Sequence, residues 1–298
     1  IMKKLGLATA LLLAMTGAQA YQVEVQGQAE YIDNTANDND FTGAVQGTYY
    51  FNNVDSSKGP LAEAAFLNQA SNVSAAYSYG EYKEAGDRDA VHAFGVKAEA
   101  YVPTKVVPVY ASASYNHTIA DSKTGYSDDS GDRYALEVGV LAAPNFLVAV
   151  GYTNVANLYS LDTFNILNNG VAKAGLETAT IGDDQDAITA RTKYVGAIDG
   201  TNMAIGFETG LVYGEDTAYT LKTDLYLTPK LSAGVSYVAS SFNDSPSKAW
   251  GVNVNYFITP AVAVGASYVN ANFEADKAQF ADYVTDTQTV GVNAKFRF

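Results

Sequence analysis

Residues 289–298 read Thr-Val-Gly-Val-Asn-Ala-Lys-Phe-Arg-Phe. Val290, Val292, Ala294, Phe296 and Phe298 share one face of an extended chain, and Thr289, Gly291, Asn293, Lys295 and Arg297 share the other. A two-residue period marks a β-strand with one greasy and one wet side, because successive side chains point to opposite faces.

Working outward, the same alternation recurs near 21–31, 41–51, 62–82, 90–102, 107–118, 134–143, 146–154, 188–198, 203–214, 218–228, 231–240, 249–258 and 262–270. With the last segment that makes about fourteen strands, an even number. The segment 62–82 changes parity between Asn68 and Val73, which predicts a bulge or kink within one strand. Pro103-Thr104, Pro144-Asn145, Asp199-Gly200-Thr201, Pro229-Lys230 and Pro260-Ala261 are tight turns by composition, and Val54–Pro60 is a sixth short connection. The alternate connections, 32–40, 83–89, 119–133, 155–187, 215–217, 241–248 and 271–286, are mostly longer and rich in Asp, Asn, Ser and Gly. Short turns on one side and long loops on the other predict a 14-stranded antiparallel transmembrane β-barrel, short turns periplasmic and long loops extracellular. A closing strand of this kind, with Phe296 and Phe298, resembles the assembly signal of bacterial outer-membrane barrels. It implies the barrel assembly machinery as a partner.

Aromatic placement tests the same reading. Tyr31, Phe41, Tyr79, Phe94, Tyr115, Tyr134, Tyr152, Tyr213, Tyr219, Tyr237, Trp250 and Tyr268 stand on the apolar face near the long-loop ends. Tyr21, Phe51, Phe146, Tyr256, Phe296 and Phe298 stand near the short-turn ends. Amphipathic rings favour the lipid–water interface, so two belts predict two interfaces, with membrane lipid and lipopolysaccharide around them. A soluble β-sandwich would place its rings in mid-strand instead.

The remaining composition narrows the function. The 298 residues hold no Cys, two His, and 32 acidic against 18 basic side chains, a formal charge of −14. Disulfides, thiolate metal sites and Cys nucleophiles are excluded. The acidic balance argues against a nucleic-acid partner, since phosphate binding needs a basic surface. Met2-Lys3-Lys4, the apolar run Leu5 to Met15 and Ala18-Gln19-Ala20 predict a cleaved secretory signal peptide over 1–20, leaving the barrel as 21–298. An exported chain with no long apolar helix fits the outer membrane of a Gram-negative bacterium. His92 and His117 face the apolar side, away from Ser112 and Ser114. No nucleophile elbow, phosphate loop or zinc-protease motif appears, so the reading is non-enzymatic and calls for no cofactor. The acid-rich stretches 38–40, 128–132 and 182–184 lack calcium-loop spacing and read as solvated loops.

Parity places Glu24, Glu30, Glu63, Lys97, Glu99, Glu137, Arg191, Lys193, Glu208, Lys222, Asp224, Lys295 and Arg297 on the wet face, lining the lumen. Ion pairs are expected among Arg191, Lys193, Glu208, Lys222 and Asp224, and between Glu24 and Lys295 or Arg297. Fourteen strands about 4.8 Å apart and tilted about 40° enclose a backbone radius of roughly 14 Å, too wide for side chains to fill. Something should therefore fold in. The loop 155–187, with Tyr159, Leu161, Phe164, Ile166 and Leu167, is the first candidate for a constriction, and 271–286 the second.

The stretches Tyr21–Tyr31 (YQVEVQGQAEY) and Gly59–Leu67 (GPLAEAAFL) and the ending Lys295-Phe296-Arg297-Phe298 resemble a porin family of Acinetobacter across the whole chain. The resemblance implies a monomeric barrel passing water, ions and small solutes, constricted by inward-folded external loops. The rival expectation is a plugged barrel that displays acidic loops as an adhesin or structural surface protein.

Overall fold

The computed structural model describes residues 20–34, 40–84, 87–121, 129–157, 159–241, 247–274 and 284–298. Of the leader expected over 1–20, only Ala20 falls among them, and 275–283 of the second loop candidate lie outside them. The strands are β1 (Ala20–Asn34), β2 (Asp40–Asp55), β3 (Asn72–Glu84), β4 (Asp87–Val102), β5 (Val109–Asp121), β6 (Asp129–Ala143) and β7 (Phe146–Val155). They continue with β8 (Gln185–Ala197), β9 (Ala204–Tyr213), β10 (Thr217–Thr228), β11 (Leu231–Ser240), β12 (Ser247–Thr259), β13 (Val262–Glu274) and β14 (Val284–Arg297). Each pairs antiparallel with its neighbours in the chain, and β1 pairs with β14, so the sheet closes into a 14-stranded barrel without an edge. At the seam the Phe298 carbonyl accepts from the Gln22 and Val23 amides at 2.8 and 3.1 Å.

Alternation sets the two faces as expected. Val96, Leu136, Val138, Val150, Val235, Val254 and Val292 are exposed on the outside, and the rings of Tyr31, Phe94, Tyr213, Tyr219, Trp250, Tyr256, Phe296 and Phe298 are exposed with them. Both His sit on this outer face among polar ring atoms. His92 Nδ1 lies 2.8 Å from the Tyr77 hydroxyl, and His117 Nδ1 lies 2.8 Å from Asp132, which also accepts from Tyr115.

Three local expectations change. First, the segment 62–82 is not one kinked strand. Leu61–Glu63 form a 3-10 turn that runs into α1 (Ala64–Leu67), and β3 begins only at Asn72. Leu-Ala-Glu-Ala-Ala-Phe-Leu is a run of strong helix formers, and helix propensity prevails over a short accidental alternation. The parity change is the exit from this helix, where Gln69 takes a φ of 49°. Second, Tyr21 is 3% exposed and stacks edge-on against Tyr50 inside the barrel, not in the periplasmic belt. The register of β1 on β2 slips between Tyr21, paired with Val54, and Val23, paired with Tyr49, and a slip of an odd number of residues turns a side chain to the other face. Third, β4 and β6 start at Asp87 and Asp129, several residues before their apolar alternation. Hydrophobic pattern marks the part of a strand in lipid, while backbone pairing continues above it.

Candidate functional site

The lumen is bounded by two inward-folded segments. On the external side the β7–β8 connection forms α2 (Thr163–Asn169) and α3 (Val171–Ile181). The Asp162 carboxylate accepts from the Phe164 amide at 2.9 Å and caps α2. Phe164, Ile166 and Leu167 are buried on an inner-wall patch made by Ile32, Ala44 and Ala76 of β1–β3, with Leu161 at its margin. Tyr159, in contrast, is 52% exposed and does not join this packing. From there α3 crosses the mouth. Its Leu176 is buried with Val238, Ala249 and Val269 of β11–β13, and its Ile181 with Val155 and Ala187 of β7–β8.

Polar contacts fix α3 in place. The Glu30 carboxylate, from the wall, accepts from the Val171 amide at 2.8 Å, so a carboxylate meets the positive end of the helix. Glu30 is buried beneath α3 and is not among the residues facing the open cavity. It therefore anchors the loop, a departure from the expectation that it lines the lumen. Gly170 allows this approach: its φ is 91°, and a Cβ there would stand 2.7 Å from Glu30 Oε1. Arg133 of β6, only 2% exposed, donates to Glu177 at 2.6 Å and to Thr178 at 3.2 Å. Burial raises the Glu177 carboxyl above its ordinary range, with the Arg133 guanidinium opposing. Lys173 donates to Ser236 of β11. Its ammonium is pushed down to about 8, by burial first and by Lys222 next.

On the periplasmic side, the Leu61–Leu67 segment reaches across the barrel. The Leu61 amide donates to the Pro229 carbonyl at 2.8 Å, in the β10–β11 turn, and the Leu61 carbonyl accepts from Arg297 at 2.9 Å. Glu63 meets Lys193 of β8 at 2.9 Å and the Tyr226 hydroxyl of β10 at 2.7 Å. Burial opposes its ionisation, but Lys193 and Tyr226 outweigh that and hold the carboxyl below its usual value. Glu63 thus faces the lumen from a helical turn and not from a strand.

Between the two segments lies a cavity of about 610 Å³. Glu24, Glu63, Lys97, Glu99, Glu137, Arg191, Lys193, Glu208, Lys222, Asp224, Lys295 and Arg297 face it, joined by Arg133, Asp162, Lys173 and Glu177, which parity on the strands did not supply. Among the described residues the lining of the chamber therefore carries eight bases and eight acids. Most sit in pairs: Lys97 with Glu99 at 2.9 Å, Arg191 with Glu137 at 2.6 Å, and Glu24 with Lys295 at 2.9 Å and Arg297 at 2.7 Å. Glu208 lies 3.9 Å from both Arg191 and Lys193, and Lys222 lies 3.9 Å from Asp224. The closest partners of Arg191 and Lys193 are thus Glu137 and Glu63, not Glu208. Arg133 closes the polar stretch 119–133, whose composition reads as a loop. Its polar/apolar alternation with Tyr134 and Leu136 was the available sign.

Comparison with known proteins agrees with this geometry. The chain is 53% identical to Omp33, an outer-membrane protein of Acinetobacter baumannii whose crystal structure superposes with a TM-score of 0.69, covering 95% of this chain and 100% of that one. Two distant barrels share the fold alone. They are the CymD monoaromatic hydrocarbon channel, at 9% identity, TM-score 0.54 and coverage of 93% and 89%, and the toluene transporter TodX of P. putida, at 7%, 0.50, and 97% and 92%. No curated protein matches in sequence. Residues 2–297 match the family described as "Putative general bacterial porin". A closed barrel with a polar, charge-balanced lumen and an outer-membrane relative at this identity places the protein in the outer membrane, and the chain belongs to this family of bacterial porins.

Proposed function

We propose that the protein is a passive, narrow channel for water, ions and small solutes, constricted from outside by α2 and α3 and from the periplasm by Leu61–Leu67. The single observation that carries this reading is the polar chamber enclosed between the two inward-folded segments. A permeation path for ions and small polar solutes needs a polar, charge-balanced interior with room for water, and this chamber supplies one. Solutes move down their gradients, with no chemical step. The charged wall also disfavours aromatic hydrocarbons, which the distant channels carry by their names, because an apolar ring gains nothing from sixteen ionic groups.

Planar-bilayer recording tests the proposal. Purified mature protein should give small conductance steps, and deletion of 157–184 should enlarge them. Absence of steps both before and after deletion overturns it. Because segments fold in at both mouths, the second reading is a plugged barrel acting as an adhesin or structural protein. It requires that vesicles carrying the intact protein fail to swell in any small solute.

A further inference from the structure

The lumenal wall is chemically divided. Charges populate β4 to β10, where nearly every cation rests against a carboxylate. From β11 round to β1 the wall presents mostly uncharged hydrogen-bonding groups; its charges there are the paired cluster of Glu24 with Lys295 and Arg297 at the seam, Glu30 beneath α3, and the Lys173 ammonium held on Ser236. Direct strand pairing joins Ser232 to Asn255, Asn255 to Gly265, Gly265 to Asn293 and Asn293 to Gln28. These residues form one unbroken row across five strands, and its members Ser232, Asn255, Asn293 and Gln28 face the cavity.

Gly265, in the middle of the row, makes room for it. A side chain there would collide with the carboxamides of Asn255 and Asn293, which lie over the bare backbone. The row also has a direction. Directly paired residues run perpendicular to the strands, and strands tilted about 40° incline the row by the same angle. Four steps of about 4.8 Å then climb roughly 12 Å along the barrel axis. A solute crossing the chamber meets one hydrogen-bonding group after another.

The geometry points to a specificity track for small neutral solutes that carry hydroxyl or amide groups, with Asn255 and Asn293 as its central contacts. The inference rests on the channel reading proposed above and narrows it. A neutral polar solute exchanges hydrogen bonds with water for hydrogen bonds with carboxamides, which both donate and accept. An ion finds no such exchange. The charged half is already neutralised by its own pairs, so neither sign of ion receives a net charge to offset the loss of its hydration shell.

The test uses proteoliposomes of the full mature protein and its Asn255→Leu/Asn293→Leu variant, which keeps the number and branching of side-chain heavy atoms but removes the hydrogen-bonding capacity. Swelling is followed in iso-osmotic glycerol, urea and KCl. Heat-modifiable gel mobility confirms that each barrel is folded. Wild type should swell faster in glycerol and urea than in KCl. Losing a hydrogen bond at the rate-limiting contact should slow glycerol and urea about five-fold in the variant, with the KCl rate changed by under about two-fold. Asn255→Ser/Asn293→Ser, which keeps hydroxyls, should recover most of the neutral-solute rate. Equal slowing of all three solutes in the Leu variant indicates general blockage and overturns the track while leaving the channel intact. Wild-type vesicles that swell in none of them overturn the channel reading, and the track with it.

Discussion

Replacing Gly170 with Ala should loosen the external constriction. Gly170 takes φ 91° and ψ 157°, a region that only glycine occupies without strain, and there a side chain costs about 1–3 kcal/mol. The added Cβ would also stand 2.7 Å from Glu30 Oε1, so Glu30 must retreat. With it goes the 2.8 Å bond to the Val171 amide, a hydrogen bond to a charged group worth about 1.5–3 kcal/mol. Together these weaken docking of α3 by roughly 2.5–6 kcal/mol, and the undocked population rises by at least about fifty-fold. The chain has no Cys, so a single Ala174→Cys substitution, on the wall-facing side of α3 and 1% exposed, gives a clean probe. Labelling by a water-soluble maleimide should be slow in that background and rise by about fifty-fold or more when Gly170→Ala is added. An unchanged labelling rate, with the barrel still folded, would refute the view that Glu30 and Gly170 hold the helix.

The same probe reads the pH response of the loop. Lys173 titrates near 8 when docked, below its free value, so burying its ammonium opposes docking below about pH 8, and that opposition fades as pH rises towards the free value. Labelling normalised to an exposed Cys should therefore slow between about pH 8 and 10, and Lys173→Met should abolish the slope. Glu24→Gln should leave Arg297, 2% exposed, without its 2.7 Å carboxylate partner at the seam, lowering the urea stability of the barrel by about 3–5 kcal/mol. Val254→Arg, on the lipid side between Trp250 and Tyr256, should cost about 2–4 kcal/mol, while Asn253→Arg, one residue away but facing water, should cost far less. Equal losses would contradict the assignment of faces.

What could be read from sequence follows from which forces act locally. The strands and their two faces were legible because lipid outside and water inside impose alternation residue by residue, as in Val290–Phe298. The likelihood that 155–187 turns inward was legible because Phe164, Ile166 and Leu167 are too apolar for an exposed loop. What was lost depended on long-range partners. Glu30 reads like any other lumenal acid until the chain brings Val171, 141 residues later, onto it. Glu63 sits in a segment whose alternation mimics a strand, and only its run of helix formers separates the two. Tyr21 turns inward at a register slip against β2 that periodicity within its own strand cannot show.

The inward segments and the charge balance of the lumen belong to one physical problem. A barrel of fourteen strands is too wide to be filled by its own wall, and here two of its connections enter it. Helical segments entering a water-filled space bring polar ends and backbone groups that need partners, and the wall supplies them: Glu30 for Val171, Arg133 for Glu177, Arg297 for Leu61. Every such docking uses up a lumenal charge. The acids and bases that remain are paired beside one another, along β4 to β10 and at the β1–β14 seam, and the −14 of the whole chain is left to residues outside the chamber. An interior neutralised in this way has little with which to select ions. Selectivity passes to the groups that no helix or counter-charge occupies, the carboxamides of β12 and β14.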